Sequence, residues 1–241
     1  MKTICIGDIH GHDSWKKIVD KHPDFDRFIF IGDYVDSFVV TGMEQLKNLR
    51  EIIEFKEKNK EKVVLLIGNH DHHYFPEVGY SGTSGYQNHM AKSFEYEFNT
   101  YRDLFQMVFR DEHNNTFSHA GVTKTFLKLN SLDNMLIEPL IEDINTLFKN
   151  NPKAFLYNMA DRGGYGDHIF QSPIWVRPGS LYRDGIDYNQ IVGHTGQPKI
   201  NPLKSVRQNY WLIDTLGTSK EFLVIKDGKI EIDNYEESLA R

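Results

Sequence analysis

The sequence predicts an α/β fold (α+β by some schemes) built on a parallel sheet. Three observations carry this. The runs Thr3-Ile4-Cys5-Ile6, Arg27-Phe28-Ile29-Phe30-Ile31 and Val63-Val64-Leu65-Leu66-Ile67 are nearly continuous apolar stretches, as strands buried on both faces are. Helical stretches separate them, which makes a βαβαβ unit with right-handed crossovers. Each run ends in a polar loop containing glycine, so all three loops fall on one edge of the sheet, where ligands of open α/β sheets bind. At 241 residues, 39% hydrophobic and 26% charged, the chain is long enough for a full core, and residues 1–241 are read as one domain.

Taken in order, the first helix starts near Asp13 or Ser14, either of which can cap it, and stops before Pro23. In the loop before it, Gly7 and Gly11 are read as letting the backbone turn tightly. The second helix runs from about Met43 to Lys58, with Leu46, Leu49, Ile52, Ile53 and Phe55 inward. The mixed charges from Lys56 to Lys62 read as a solvated face. Gly79, Gly82 and Gly85, set among Tyr74, Phe75, Tyr80 and Tyr86, mark a loop over the mouth of a site, with rings able to stack a base. Asn88 to Arg110 reads as one aromatic-rich helix. Thr116 to Val122 is a strand running into a polar loop, Thr123 caps a helix through Leu129, and Met135 to Phe148 is another helix. Asp161 to Asp167 is irregular, and Pro173 to Pro178 leads into a loop. Tyr188 to Val192 is a strand ending in Gly193-His194-Thr195-Gly196. Strands at Tyr210–Ile213, Glu221–Ile225 and Lys229–Ile232 follow, the last two a hairpin turned at Asp227-Gly228, before a frayed tail from Tyr235 to Arg241.

Composition narrows the function classes. A net charge of −6 and a pI near 6.0 argue against an extended nucleic-acid surface but not against a small nucleotide. The single cysteine, Cys5, excludes an internal disulfide and reads as a buried thiol. No apolar run reaches membrane-spanning length and no signal-type stretch opens the chain, so a cytoplasmic setting is expected.

Five apolar strands end in loops that carry metal-ligand residue types: Asp8 with His10, Asp33, Asn69, His119 and His194. Each alone has an ordinary structural explanation; five at five strand ends point to a metal site. One carboxylate and imidazole on one side, an amide and two imidazoles on the other, and a carboxylate between them suggest two metal ions. Nitrogen and oxygen donors without thiolate suit Mn²⁺, Fe, Zn²⁺ or Ni²⁺ better than Mg²⁺ or Ca²⁺. Two such ions serve in-line attack of hydroxide on a phosphoryl group.

Gly7-Asp8-Ile9-His10-Gly11, Gly32-Asp33-Tyr34-Val35-Asp36, Gly68-Asn69-His70-Asp71, Ser118-His119-Ala120-Gly121 and Gly193-His194-Thr195 resemble, in order, the signatures of the calcineurin-like metallophosphoesterases. The nearer resemblance is to the branch of the phosphoprotein (Ser/Thr) phosphatases and symmetrical diadenosine tetraphosphatases of bacterial and phage type. It implies a four-layer fold, a two-sheet β-sandwich flanked by helices. By the same resemblance Asp8 and His10 bind the first metal, Asp33 bridges, and Asn69, His119 and His194 bind the second. His70 protonates or positions the leaving oxygen and is held by Asp36. Arg177 resembles the phosphate-binding arginine, whose planar fork suits two phosphoryl oxygens.

Departures from that pattern bear on the substrate. Ser37-Phe38 stands where the branch has Arg-Gly, so one phosphate clamp is missing; either Arg162 or Arg183 replaces it or the substrate is a diester that needs less charge neutralisation. Asp71 stands where the branch mostly has Glu, and His72 and His73 after it read as surface groups in preference to groups backing the site residues. Gly196 stands where nuclease and cyclic-nucleotide branches place a second histidine, which favours the phosphatase and tetraphosphatase branch. The expected activity is hydrolysis of a phosphomonoester, including a phosphoprotein. The alternative is a dinucleoside polyphosphate or another nucleotide ester. A non-catalytic binding module is the third reading, and the complete set of site residues stands against it.

Overall fold

The computed structural model describes residues 1–79, 84–133, 137–160, 165–204 and 208–236. Tyr80, Gly82, Met135, Asp161 to Gly164 and the tail beyond Glu236, which figured in the sequence reading, lie outside the described residues.

β1 (Lys2–Ile6), α1 (Trp15–Lys21), β2 (Arg27–Phe30), α2 (Gly42–Lys58) and β3 (Val63–Leu66) form the expected βαβαβ unit, with β1–β2 and β2–β3 parallel. A short α3 (Asn69–His72) follows β3 directly, then α4 (Ala91–Thr100), β4 (Phe105–Gln106), β5 (Val108–Arg110) and β6 (Asn115–Ser118). The remaining elements are α5 (Lys124–Leu129), α6 (Ile137–Asn150), α7 (Pro178–Asp184), β7 (Asn189–Val192), β8 (Asn201–Lys204), β9 (Asn209–Leu212), β10 (Glu221–Lys226) and β11 (Lys229–Asn234).

The strands make two mixed sheets, ordered β11-β10-β1-β2-β3-β4 and β5-β6-β7-β9-β8. Side-chain alternation explains why both faces of the first sheet are apolar. Ile4, Ile6, Phe28, Phe30, Val63 and Leu65 bury against α1, α2, α4 and α6. Cys5, Ile29, Ile31, Val64 and Leu66 bury against Phe117 and Ile191 of the second sheet. The outer face of that sheet, with Val192, Tyr210 and Leu212, is covered by Leu181 of α7. Helices, sheet, sheet and helix are the four layers. Cys5 is fully buried between the sheets, as expected of a structural thiol.

Two sequence expectations need correction here. The helix from Asn88 to Arg110 ends at Thr100, and the chain turns extended. Phe105 and Gln106 pair with Leu65 and Leu66, and Val108 to Arg110 pair with β6, a long-range ladder that helical periodicity cannot reveal. Gly7 is required by a close approach, not by a turn: a Cβ there would collide with the Ile213 carbonyl, whereas Gly11 does hold φ +77°.

Candidate metal centre

The carboxyl ends of β1, β2, β3, β6, β7 and β9 meet at one end of the sandwich, because these strands run parallel within their sheets. Backbone bonds bind the loops together. The amides of Ile9 and His10 donate to the Asp33 carbonyl, and Gly11 donates to that of Tyr34. The buried Asp71 carboxylate accepts the N–H groups of Asp33 (2.7 Å), Tyr34 (2.7 Å) and Gly68 (2.9 Å). One carboxylate therefore pins the loops after β2 and β3. Between the sheets, the His194 amide donates to both oxygens of Asp8 at 3.1 Å. Four site residues, His10, Asp33, Asp36 and His194, hold left-handed backbone with φ between 41° and 64°. Such strained geometry persists where surroundings over-determine it, and it clusters at functional sites.

Each expected histidine ligand has one ring nitrogen committed to a backbone carbonyl. His10 Nδ1 donates to Val35 (2.9 Å), His119 Nδ1 to Ile31 (3.1 Å) and His194 Nε2 to Trp175 (3.1 Å). The neutral ring's other nitrogen is then a bare acceptor. His119 Nε2 lies 3.0 Å from Asn69 Oδ1 and 3.3 Å from Asp33 Oδ2, and His194 Nδ1 lies 2.9 Å from the same Asn69 oxygen. With both rings neutral four acceptors face one another, so the cluster draws in positive charge, a proton on His119 or a metal ion in its place. Potential ligand atoms fall into two compact groups, Asp8–Asp33–His119 and His10–Asp33–His70, with Asp33 common to both. An added Cβ at Gly68 would overlap Asp33 Oδ1, and one at Gly193 would overlap Asp8 Oδ1, so glycine makes the room in which these carboxylates stand.

The electrostatics agree with a cation seat. Burial opposes charge on His119, but Asp33 and then Asp8 outweigh it and push its pKa up to about 9. Burial, then the charges of His119 and Arg177, hold His194 well below the usual histidine range, so it is neutral and able to ligate. Asp8 is pushed up to about 6 by burial and by Asp33. Asp214, at the end of β9, is pushed up to about 8 by burial and then by Asp8. Asp214 was missed in the sequence, although it follows the apolar run Tyr210–Ile213 as the other candidates follow theirs. Clustered buried carboxyl groups, an amide oxygen, the neutral His194 ring and a His119 ring whose proton a metal ion would displace fit divalent metal ions.

The other expected residues are close by. His70 donates its backbone N–H to Asp33 Oδ1 (2.9 Å), and its Nδ1 lies 3.1 Å from Asp36 Oδ2. Burial opposes its charge, but Asp33 and then Asp36 raise its pKa above the ordinary histidine value. Arg177 reaches the rim of the cluster: Nη1 donates to the His194 carbonyl and Thr195 Oγ1 at 3.0 Å, and Nε to the Tyr165 carbonyl. No hydrogen bond among the described residues uses its Nη2.

Three local readings are corrected. His72 and His73 are buried, not on the surface; His72 Nε2 donates to the Pro152 carbonyl (2.8 Å), and His73 Nε2 lies 2.9 Å from Asp36 Oδ2. Tyr74 and Phe75 belong to the core under the site, not to a loop over its mouth; Tyr74 stacks on Tyr86 and meets Phe94 edge-on. Arg183 turns to Ser180 Oγ (2.8 Å) and Asp167 (4.0 Å), so it does not take the place of the missing arginine. Arg162 lies outside the described residues. Ser37 is buried, and its Oγ accepts the N–H groups of Val39 and Val40.

A model of the calcineurin-like phosphoesterase family matches residues 1–222. Among solved structures, the chain is similar to a cold-active protein-tyrosine phosphatase of a psychrophilic Shewanella species, with TM-score 0.63 and 16% identity over 97% of this chain and 78% of that one. It is also similar to a protein serine/threonine phosphatase from Saccharomyces cerevisiae, with TM-score 0.55 and 11% identity over 100% and 82%. A putative diadenosine tetraphosphatase has TM-score 0.53 and 13% identity over 96% and 92%. At such identities the likeness is one of fold. Among the described residues, no helix is long and apolar enough to cross a membrane.

Proposed function

The chain belongs to the calcineurin-like phosphoesterases, metal-dependent hydrolases of phosphate esters, and on that premise we propose that it cleaves phosphomonoesters, phosphoproteins included. The observation that carries this reading is the buried His70–Asp36 pair set against the Asp33-centred donor cluster. Asp8, His10, Asp33, Asn69, His119 and His194 would hold two metal ions with Asp33 shared; Mn²⁺ is the ion proposed for assay, with Fe, Zn²⁺ and Ni²⁺ as alternatives. When bound, such ions neutralise phosphoryl oxygens and acidify a water toward hydroxide.

The chain's own residues supply the rest. Asp36 takes the Nδ1–H of His70, which leaves Nε2–H to face the leaving group. As water oxygen bonds to phosphorus in line, the bond to the leaving oxygen breaks and His70 gives that oxygen its proton. Arg177, held by its bonds to His194 and Thr195, presents Nη2, which bonds no other described residue, to a terminal phosphoryl group. Residues 1–241 act as one domain, and the lone buried thiol suits the cytoplasm.

A dinucleoside polyphosphate or other nucleotide is the second reading. It is favoured by the absence of arginine at Ser37 and by Phe38 and Val39 beside it, which are 79% and 80% exposed. Steady-state rates of Mn²⁺-loaded protein on p-nitrophenyl phosphate, its bis ester, a phosphoserine peptide and diadenosine tetraphosphate separate the two. The peptide and the simple monoester should be preferred, with Asp33→Asn inactive and poor in metal. Preference for the tetraphosphate or the diester selects the nucleotide reading.

A further inference from the structure

Asp36 is the hub of a contact set larger than its pairing with His70. Its side chain is fully buried, and its backbone is held at φ 64°. Oδ1 accepts the Tyr74 hydroxyl at 2.5 Å. Oδ2 faces His70 Nδ1 at 3.1 Å and His73 Nε2 at 2.9 Å. Tyr74 is itself immobilised. Its hydroxyl accepts the Gln87 N–H (3.2 Å), its ring stacks on Tyr86 with centroids 5.1 Å apart, and Phe94 closes it edge-on at 5.1 Å. Burial, then the charge of Asp36, keep the Tyr74 hydroxyl protonated and hence a donor. The His73 ring packs edge-on against Tyr74 and Tyr86, with centroids 4.4 and 4.8 Å away.

We propose that Tyr74 and His73 are positioning residues for the proton donor: Tyr74 holds Oδ1 of the Asp36 carboxylate and His73 stands beside Oδ2, so that Oδ2 meets His70 Nδ1 and the opposite ring nitrogen faces the leaving group. A carboxylate rotates about its Cβ–Cγ bond unless both oxygens are occupied. His70 alone would hold one oxygen. With Tyr74 on Oδ1 and His73 beside Oδ2, one rotamer of Asp36 satisfies all three partners, and the donor imidazole is fixed in one plane. This rests on the phosphomonoesterase reading for its chemistry, but the clamp itself is a property of the folded chain.

Tyr74→Phe deletes one hydroxyl and keeps the ring stack, so it isolates the hydrogen bond; His73→Gln keeps a side-chain N–H, and His73→Leu does not. Full-length Mn²⁺-loaded protein is assayed on p-nitrophenyl phosphate, a good leaving group, and on a phosphoserine peptide, a poor one. Tyr74→Phe and His73→Leu should lower kcat on the peptide about 10-fold and on the aryl ester less than about 3-fold, with KM unchanged and His73→Gln restoring most of the loss. In an Asp36→Asn background the same changes should cost less than about 2-fold, because the clamp has lost its object. Equal losses on both esters, or losses that multiply with Asp36→Asn, overturn the proposal. Imidazole ¹⁵N–¹H spectra give a readout independent of turnover. The His70 Nδ1 proton should be protected from exchange in the parent and lose protection in Tyr74→Phe; an unchanged proton overturns the clamp. Should the parent hydrolyse neither ester, the substrate reading fails while these spectra still decide the clamp.

Discussion

His72 illustrates how much one buried side chain can govern. Its ring is fully buried, its Nε2–H is spent on Pro152, and burial holds its pKa down at about 4. An unfolded chain binds that proton near pH 6.5. The contribution to stability is therefore complete above pH 6.5 and is lost as pH falls toward 4, by roughly 2–3 kcal/mol at pH 4.5. Urea unfolding of chelator-treated protein from pH 7 to 4.5 should show His72→Gln losing that much less stability than the parent over the interval. Parallel curves would exclude His72 as the titrating group. At this scale the sequence was informative about residue type and silent about surroundings. Asp8, His10, Asp33, Asn69, His119 and His194 were legible because each follows an apolar run. His72 and His73, two polar residues after such a loop, carry no local sign that the chain will fold over them.

Elements with local causes were legible, and those made by distant pairing were not. The helix α2 is capped by Thr41: its Oγ1 accepts the Glu44 N–H, and the Glu44 carboxylate accepts the Thr41 N–H in return. Thr41→Ala should cost about 1 kcal/mol in urea unfolding with little effect on turnover, since the cap stabilises the helix and touches no site residue. A loss of activity without a loss of stability would mean that α2 sets the Asp36 loop directly through Gln45, which accepts the Ser37 N–H. The hairpin turn at Asp227-Gly228, with φ of 48° and 81°, and the Thr123 cap of α5 were equally visible, because both are chemistry of adjacent residues. β4, β5 and β8 were invisible. Phe105 and Gln106 become a strand only because Leu65 and Leu66 offer an edge.

For the whole molecule, the proposed metal-ligand residues are also a bridge between sheets. Asp8 and Asp33 extend from the first sheet, His119 and His194 from the second, and the buried carboxylates at their junction repel one another. A bound cation relieves that repulsion, so Mn²⁺ should stabilise the fold as well as enable catalysis. At a free concentration 100 times Kd the gain is about 2.7 kcal/mol, a rise in Tm of roughly 5–10 °C for a chain of this size. Calorimetry with and without chelator measures it, and Asp33→Asn should lose at least half of the rise. An equal rise in the variant would place the stabilising ion elsewhere. The sequence by itself determined the residue types at the strand ends, the βαβαβ core and the family of the chain, because periodicity and loop motifs are local and additive. Tertiary structure alone decided that Asp214 joins the cluster, that Arg183 turns to Asp167 and that Tyr74 and His73 close on Asp36. Those outcomes depend on which loops and helices the packed core brings into contact, and no local pattern encodes that approach.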